Sequence, residues 1–365
     1  QHSIGPPAFT IETQIGGRDV YRRDVRRPDG RYNIFYGYAP HSGESAAEPV
    51  SEVAKGGELR WHPLREEWNV YVPHRQNRTF KPSAADDPLS PTRAGGPITD
   101  IPFTDFELCI FENRFTSLHM EAPEPSAPPY MKSDRAIGRC DVVVYTPERT
   151  GNLFSIGQER RRLLLAAWID RYQTLFAEGH KFVMPFESRG EEVGVTLSHP
   201  HGQIYSFPFV PDTQAKAGHV FSQGYDLTSA LDQDADIYEV TRAGDIRAWC
   251  PPYARYPFET WLVPTRKQPG PWTMTEEEAD GFTYLLGDIT QRMDRYFGRD
   301  TAYMLSLQAS PAGYEGDWHF WAQFYPILRA PDRVKYLASV ESHSGVFTVD
   351  VMPEFAAKTL RAQIS

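Results

Sequence analysis

The strongest constraint on the fold is one order of elements that occurs twice along the chain. Helix patterns run over 155–177 and 275–297, and each opens on a capping-box sequence. An apolar strand pattern precedes each helix and two more follow it, and the prolines closing the preceding strands, Pro147 and Pro264, lie 117 residues apart. The matched order and lengths favour duplication of one strand–helix–strand–loop–strand unit over a chance arrangement.

Composition and charge exclude several classes of protein. Of the 365 residues 40% are hydrophobic, which is enough for a large core and excludes a mainly disordered or fibrous chain. The formal net charge of −10 argues against nucleic-acid or anionic-membrane partners. The three cysteines have no paired spacing, no run approaches 18 apolar residues, and the first residues lack a basic-then-apolar leader. We expect a soluble, cytoplasmic protein.

The most informative motif is the hexad 198–203, SHPHGQ. In an extended strand His199, His201 and Gln203 would share one face. The proline suits a strand edge beside a ligand, and the glycine would let a bulky group approach the backbone. Neutral imidazole is a good nucleophile toward phosphorus, while the second ring and the amide could hold phosphate oxygens. Two half-buried structural histidines, or two ligands of a metal site, remain the alternatives.

Together with this hexad, four further segments make the chain resemble the galactose-1-phosphate uridylyltransferase family, a branch of the histidine-triad (HIT) superfamily. The similarity extends over about residues 58–360, with the hexad inside FESRGEEVGVTLSHPHGQIYSFPF (186–209). The other segments are RWHPLREEWNVYVPHRQNR (60–78), FENRF (111–115), PFETWLVP (257–264) and KYLASVE (335–341).

The resemblance implies an α+β fold of two tandem HIT-type halves that form one antiparallel half-barrel sheet with flanking helices. The halves would span 58–211, which carries HPHGQ, and 212–365, in which the motif is degenerate. Residues 1–57 are polar, rich in proline and glycine and weakly periodic. We expect them to form an arm or a set of surface loops.

The resemblance also implies a ping-pong nucleotidyltransferase. UMP would pass between a UDP-sugar, or UTP, and a sugar-1-phosphate through a covalent intermediate on His201. Gln203 would hold the phosphoryl oxygens, and His199 would support the loop behind the nucleophile. The family leads us to expect a homodimer with shared active sites.

Further site residues follow from the same resemblance. Arg75 and Arg78 match phosphate-contacting arginines, with a solvated surface pair as the alternative. Lys335 and Glu341 match positions near a sugar pocket, which in the family is contributed by the partner subunit. The alternative that each is an ordinary surface residue is equally open. The remaining nucleotide- or phosphate-binding candidates are Asn113, Ser188, Thr196 and Ser198.

The chain departs from the family at its metal positions. Zinc-binding members carry cysteines and histidines where this chain has Asp87, Ser90, Arg149 and His199. The iron-type positions read Gln308, Trp321 and Gln323, and His319 is out of register. One imidazole cannot close a four-coordinate site, so we predict no metal cofactor, with the loop 81–102 held by packing and proline instead.

Other departures leave the substrate open. Phe347 within HSGVFTVD (343–350) stands where a polar sugar contact is expected, so the acceptor could be a pentose, amino-sugar or deoxy-sugar phosphate. A related HIT-type nucleotide phosphorylase and an NTP-dependent sugar-1-phosphate nucleotidyltransferase are alternatives. A third alternative, from another class, is an inactive nucleotide-binding paralogue, which the loss of the metal residues favours and the intact hexad opposes.

Overall fold

The computed structural model describes residues 7–11, 13, 15–77 and 87–364. The first strands of this part are β1 (Phe9–Thr10), β2 (Tyr21–Arg26), β3 (Tyr32–Gly37), β4 (Glu58–His62), β5 (Glu67–Tyr71), β6 (Leu108–Glu112), β7 (Ser133–Arg135), β8 (Arg139–Val144), β9 (Phe182–Arg189) and β10 (His201–Phe207). They are followed by β11 (Glu239–Ala243), β12 (Ile246–Trp249), β13 (Thr260–Pro264), β14 (Tyr303–Gln308), β15 (Trp321–Pro326), β16 (Leu328–Ala330) and β17 (Arg333–Val334).

The α-helices of the same residues are α1 (Gln158–Ala177), α2 (Asp212–Ser222), α3 (Leu227–Asp232), α4 (Ala235–Tyr238), α5 (Glu276–Phe297), α6 (Ser339–Ser344) and α7 (Pro353–Arg361). Short 3₁₀ turns lie at Pro73–Asn77, Glu191–Val193 and Pro271–Thr273. Within the described ranges no helix is both long and apolar enough to cross a membrane. The cytoplasmic location stays a prediction.

One large antiparallel sheet organises the molecule. Its strand order is β1-β2-β3-β6-β8-β10-β9-β14-β15-β13-β12-β11. In the first part α1 connects β8 to β9, and β10 inserts between those two strands; in the second part α5 connects β13 to β14, and β15 inserts between them. Strands β9 and β14 pair at the junction. The expected antiparallel sheet with flanking helices is therefore confirmed.

The two long helices cover one face of this sheet and contact each other. Their apolar side chains, such as Leu164 and Leu286, join Val143, Val183 and Ile204 from the strands in the largest core cluster. Burying such side chains contributes roughly 1.5–3 kcal/mol each. The long helices do not cover the opposite face of the sheet, toward which His201 and Gln203 of β10 point.

Part of that second face is covered by the segment after residue 86. Leu89, Ile101 and Phe103 are buried against Phe111 and Val144 of β6 and β8. A bridge between Pro91 and Ile101 closes the segment on itself. Apolar packing and a proline thus hold the described part of this loop, whereas residues 81–86 lie outside the described ranges.

Two expectations need correction. Residues 1–57 are more than an arm, because β2 and β3 join the main sheet and every residue of β3 is buried. The capping box at Ser155 does not form: α1 begins at Gln158, after Gly157, and the Ser155 hydroxyl instead accepts a hydrogen bond from the Asn152 amide. The second box, at Thr275, is confirmed.

Candidate active site

Strand β10 carries the central site residues on the sheet face that the long helices leave open. Along β10 His201 and Gln203 are half-buried, whereas Gly202 and Ile204 are buried, and Ile204 packs in the core below the helices. The predicted shared face therefore holds for His201 and Gln203. His199 precedes the strand and is buried at 2% exposure.

Pro200 and Gly202 differ in their surroundings from what the motif predicts, which is a strand edge for the proline and space for a bound group beside the glycine. Strand β10 lies inside the sheet, between β8 and β9, so Pro200 does not mark an edge. It fits because it precedes the strand, and its carbonyl accepts from the Tyr145 amide at 3.1 Å. A Cβ on Gly202 would lie 2.5 Å from the Tyr145 hydroxyl oxygen and 2.7 Å from the Phe186 carbonyl oxygen. The group that approaches this glycine is the protein's own tyrosine.

The imidazole of His201 is held in one tautomer. Its Nδ1 lies 2.6 Å from the carbonyl oxygen of His199. A carbonyl oxygen can only accept, so Nδ1 carries the proton and Nε2 keeps its lone pair. Burial lowers the pKa of His201, although the same hydrogen bond works in the opposite direction. The result is a neutral ring at pH 7 with an available nucleophilic nitrogen.

Behind His201 lies a cluster of four polar residues. The Nδ1 of His199 is 2.6 Å from Asp87 Oδ2, and its Nε2 is 2.7 Å from the Thr146 carbonyl. Ser90 Oγ donates to the same Asp87 oxygen at 2.7 Å, and Arg149 Nε lies 3.7 Å from it. Burial alone would raise the pKa of Asp87, but the hydrogen bonds from His199, Ser90 and the Leu89 amide lower it to about 2.

Two nucleotide candidates lie beside the far end of β10. Arg75 is exposed on the 3₁₀ turn after β5, and its guanidinium donates to the Phe115 carbonyl at 3.4 Å. Burial raises the pKa of Tyr205 on β10, and a hydrogen bond from Arg75 opposes that rise. The Asn113 side-chain oxygen accepts from the Phe115 amide at 2.9 Å. Arg75 and Asn113 thus meet at the FENRF segment and the open face.

The other candidates are less closely grouped. Ser188 lies two residues beyond Phe186, which pairs with Gln203, so the register directs both toward the same face. Thr196 and Ser198 are exposed in the connection between β9 and β10. Arg78 lies outside the described residues.

Lys335 and Glu341 are not ordinary surface residues, because both are buried. The Lys335 ammonium donates to Glu341 Oε1 at 3.1 Å and to the Thr348 carbonyl at 2.6 Å. The Thr348 hydroxyl completes the group by donating to Glu341 at 3.0 Å. Their charges are therefore satisfied within one chain, and sugar binding by this pair stays a prediction.

Neither family metal fits the residues present. At the zinc positions, both His199 ring nitrogens are already hydrogen-bonded and an arginine approaches Asp87. At the iron positions, Gln323 accepts from the Trp321 indole at 3.0 Å, and Gln308 bonds Ser306. Across the described ranges, no group of three or more histidine, cysteine, aspartate or glutamate side chains could hold a metal ion.

Sequence reasoning missed the contact between Asp87 and His199. It treated Asp87 only as a departure from a zinc ligand. The two residues are 112 positions apart. The one available signal was that the three departures, Asp87, Ser90 and Arg149, and the retained His199 occupy positions that would meet in space.

Comparison with known proteins places the chain in a family. A model described as galactose-1-phosphate uridyl transferase, N-terminal domain, matches residues 51–211. The galactose-1-phosphate uridylyltransferase of Thermotoga maritima is 32% identical over 318 residues, covering 83% of this chain and 98% of that protein. This chain belongs to the galactose-1-phosphate uridylyltransferase family. The predicted family and enzyme class, a transferase of the uridylyltransferase type, are confirmed.

Solved structures agree with this membership of the galactose-1-phosphate uridylyltransferase family. A uridylyltransferase structure matches with a TM-score of 0.75 at 25% identity, covering 84% of this chain and 98% of that one. An ADP-glucose phosphorylase from Arabidopsis thaliana shares the fold, with a TM-score of 0.63 at 21% identity over 84% of this chain and 98% of that one.

Proposed function

We propose that this uridylyltransferase moves UMP between a UDP-sugar and a sugar-1-phosphate through a covalent intermediate on His201. Nε2 attacks the α-phosphorus, an N–P bond forms, and the P–O bond to the leaving sugar-1-phosphate breaks with its electron pair on that oxygen. In the second half-reaction a phosphate oxygen of the acceptor attacks the same phosphorus, and Nε2 leaves.

The hydrogen bond between His201 Nδ1 and the His199 carbonyl carries this proposal. It leaves the nucleophilic lone pair on Nε2 without a separate base, and it partners the N–H of the ring that becomes cationic when the N–P bond forms. Gln203, on the same face, supplies an amide for phosphoryl oxygens, and Arg75 supplies positive charge for the nucleotide phosphates. No metal takes part in these steps as we propose them.

Intact-protein mass spectrometry tests the proposal. Wild-type protein incubated with UDP-glucose and no acceptor should gain one uridylyl group, and His201→Ala should gain none. His219→Ala, which alters an exposed histidine on α2, should behave as wild type. A parallel incubation with UTP identifies the donor. If His201→Ala acquires the adduct at the wild-type rate, the assigned nucleophile is wrong.

We also propose that the sheet arose from two tandem HIT-type halves. Two observations support this duplication: the two parts of the sheet have the same strand order, and residues of the HPHGQ motif have counterparts in the second part. His319, Trp321 and Gln323 occupy the places in β15 and its approach that His199, His201 and Gln203 occupy around β10. The second half would then have kept the motif's first histidine and its glutamine while losing the nucleophile.

A homodimer is the remaining part of the proposal. Apolar side chains next to the Lys335–Glu341 pair are exposed, namely Tyr336, Leu337, Val340 and Val346. A second copy of the chain would bury them and bring its 335–341 segment to the neighbouring site. Light scattering coupled to gel filtration should give a dimer for wild type and a monomer for Val340→Asp, while Tyr130→Asp, an exposed apolar residue elsewhere, should stay dimeric. A monomeric wild type would contradict this arrangement.

A further inference from the structure

The hydrogen bonds of His199 fix the orientation of its ring. Its Nε2 faces the Thr146 carbonyl oxygen at 2.7 Å. Its Nδ1 faces Asp87 Oδ2 at 2.6 Å, and the same carboxylate oxygen accepts from the Ser90 hydroxyl. Both ring nitrogens are therefore bonded, and the buried ring is held at both ends.

The hydrogen-bonded pair of Asp87 and His199 joins three segments of the chain. Asp87 begins the described part of the loop that packs on β6 and β8. Thr146 follows β8, and His199 leads into β10. Because both ring nitrogens are bonded, the ring cannot rotate without breaking its hydrogen bond to the Asp87 carboxylate. The backbone at His199 is thereby anchored at a fixed position.

That backbone contacts the nucleophile directly. The His199 carbonyl accepts from His201 Nδ1 at 2.6 Å, and the intervening residue, Pro200, has a fixed φ. A rotation or shift at His199 would move this carbonyl and release the His201 ring from its single tautomer. The path from Asp87 to His201 is therefore one side-chain pair followed by one backbone hydrogen bond.

We infer that Asp87 is a positioning residue for His201, and that the hydrogen bond between Asp87 and His199, supported by Ser90 and Arg149, does the anchoring. The inference rests on the proposed function, in which His201 is the nucleophile. Both side chains are buried, at 9% exposure for Asp87 and 1% for His199, so removing one partner leaves the other without compensation inside the protein.

The test is the single-turnover rate of adduct formation from UDP-glucose in Asp87→Asn. Asparagine keeps the volume and one hydrogen bond but removes the carboxylate charge that strengthens the hydrogen bond to His199. We expect a loss of about 10- to 100-fold in this rate with KM for UDP-glucose within about twofold of wild type, because ground-state binding is retained while the nucleophile is misplaced.

Asp288→Asn provides the matched control. Asp288 pairs with Arg292 within α5 at 2.7 Å, and its side chain is 16% exposed. This change should lower stability without altering the rate. A second readout is ¹⁵N-histidine NMR, in which Asp87→Asn should shift the ring nitrogens of His201 from the Nδ1-protonated pattern and Asp288→Asn should not.

Different failures are distinguishable. If wild type forms no adduct, the proposed function fails. If wild type forms the adduct and Asp87→Asn forms it at the wild-type rate, the positioning role is overturned. The role is also overturned if Asp288→Asn loses as much of the rate as Asp87→Asn does. Should Asp87→Asn fail to fold, Ser90→Ala decides, since it removes one hydrogen bond to the same carboxylate oxygen. A smaller loss of rate at unchanged KM supports the inference, and an unchanged rate overturns it.

Discussion

We expect Glu112→Gln to stabilise the protein at pH 8.5 relative to wild type and to lose that advantage as the pH falls. Glu112 is buried at the end of β6, immediately before Asn113, and pairs across the sheet with Asp141 on β8. Asp141 is fully buried and receives hydrogen bonds from Arg171 and Tyr32. Two carboxyl groups therefore face each other inside the sheet, and one of them already accepts hydrogen bonds from an arginine and a tyrosine.

The magnitude follows from the pKa of Glu112. Burial and the charge of Asp141 raise it from 4.5 to about 7, and Arg139, 3.6 Å away, offsets this only partly. At 1.36 kcal/mol for each tenfold change in proton affinity, folding with an ionised Glu112 costs about 3 kcal/mol. The folded state binds the proton on Glu112 more tightly than the unfolded state does. Protonation of Glu112 therefore contributes stability that is fully present below pH 4.5 and is lost as the pH rises through about 7. About 2 kcal/mol of the change falls between pH 5.5 and 8.5.

Urea unfolding of wild type and Glu112→Gln at pH 5.5 and 8.5 measures this difference. Glu58→Gln is the matched control, because Glu58 is as buried as Glu112, at 9% against 8% exposure, and also lies beside an arginine, Arg60, at 3.1 Å. Burial alone would raise the pKa of Glu58, but the hydrogen bonds from Ser126 and Arg60 lower it. Its stabilising effect is lost only as the pH falls below 4.5, so Glu58→Gln should be destabilised equally at both pH values. An equal Glu112→Gln effect at both values would refute the reasoning.

Two further predictions concern the site. Dialysis against EDTA should leave adduct formation and the melting temperature unchanged, because the Asp87–His199 pair occupies the positions that would bind zinc; bound zinc whose removal abolishes the adduct would contradict this. Gly202→Ala should destabilise the fold by about 1–3 kcal/mol through overlap with the Tyr145 hydroxyl and a backbone carbonyl. Gly316→Ala, where a Cβ meets nothing within 4 Å, should have little effect on urea unfolding, and equal effects of the two changes would exclude the overlap as the cause.

The sequence predicted those parts of the fold that local patterns specify. The two long helices, the strands around them and the open face of β10 follow from periodicity and from the order of elements. The strands within residues 21–37 were missed because β3 is buried throughout and shows no alternation, and β2 is short and rich in arginine. The start of α1 was misplaced because Ser155 bonds within its own turn, a competition that spacing alone does not reveal.

The site could be predicted as a set of residue types but not as a set of contacts. HPHGQ indicated the proposed nucleophile, and the strand register brings Gln203 and Ser188 toward one face as alternation requires. The pairing of Lys335 with Glu341 and of Asp87 with His199 depends on how distant loops pack, which no local pattern specifies. Tertiary packing also explains Gly202, whose neighbour is a tyrosine from β8's end.

The second half of the sheet offers an internal comparison for the first histidine of the motif. His319 is buried, and its Nε2 bonds the carbonyl of Pro264 at 2.8 Å, much as His199 bonds the carbonyl of Thr146. Trp321 stands at the place that His201 has in the first half, so bonding to a strand-end carbonyl does not require a histidine at that place. In the first half the carboxylate of Asp87 is hydrogen-bonded to the opposite ring nitrogen. On the proposed duplication, the anchored histidine is an inherited structural feature, and the hydrogen bond to Asp87 connects it to the proposed nucleophile.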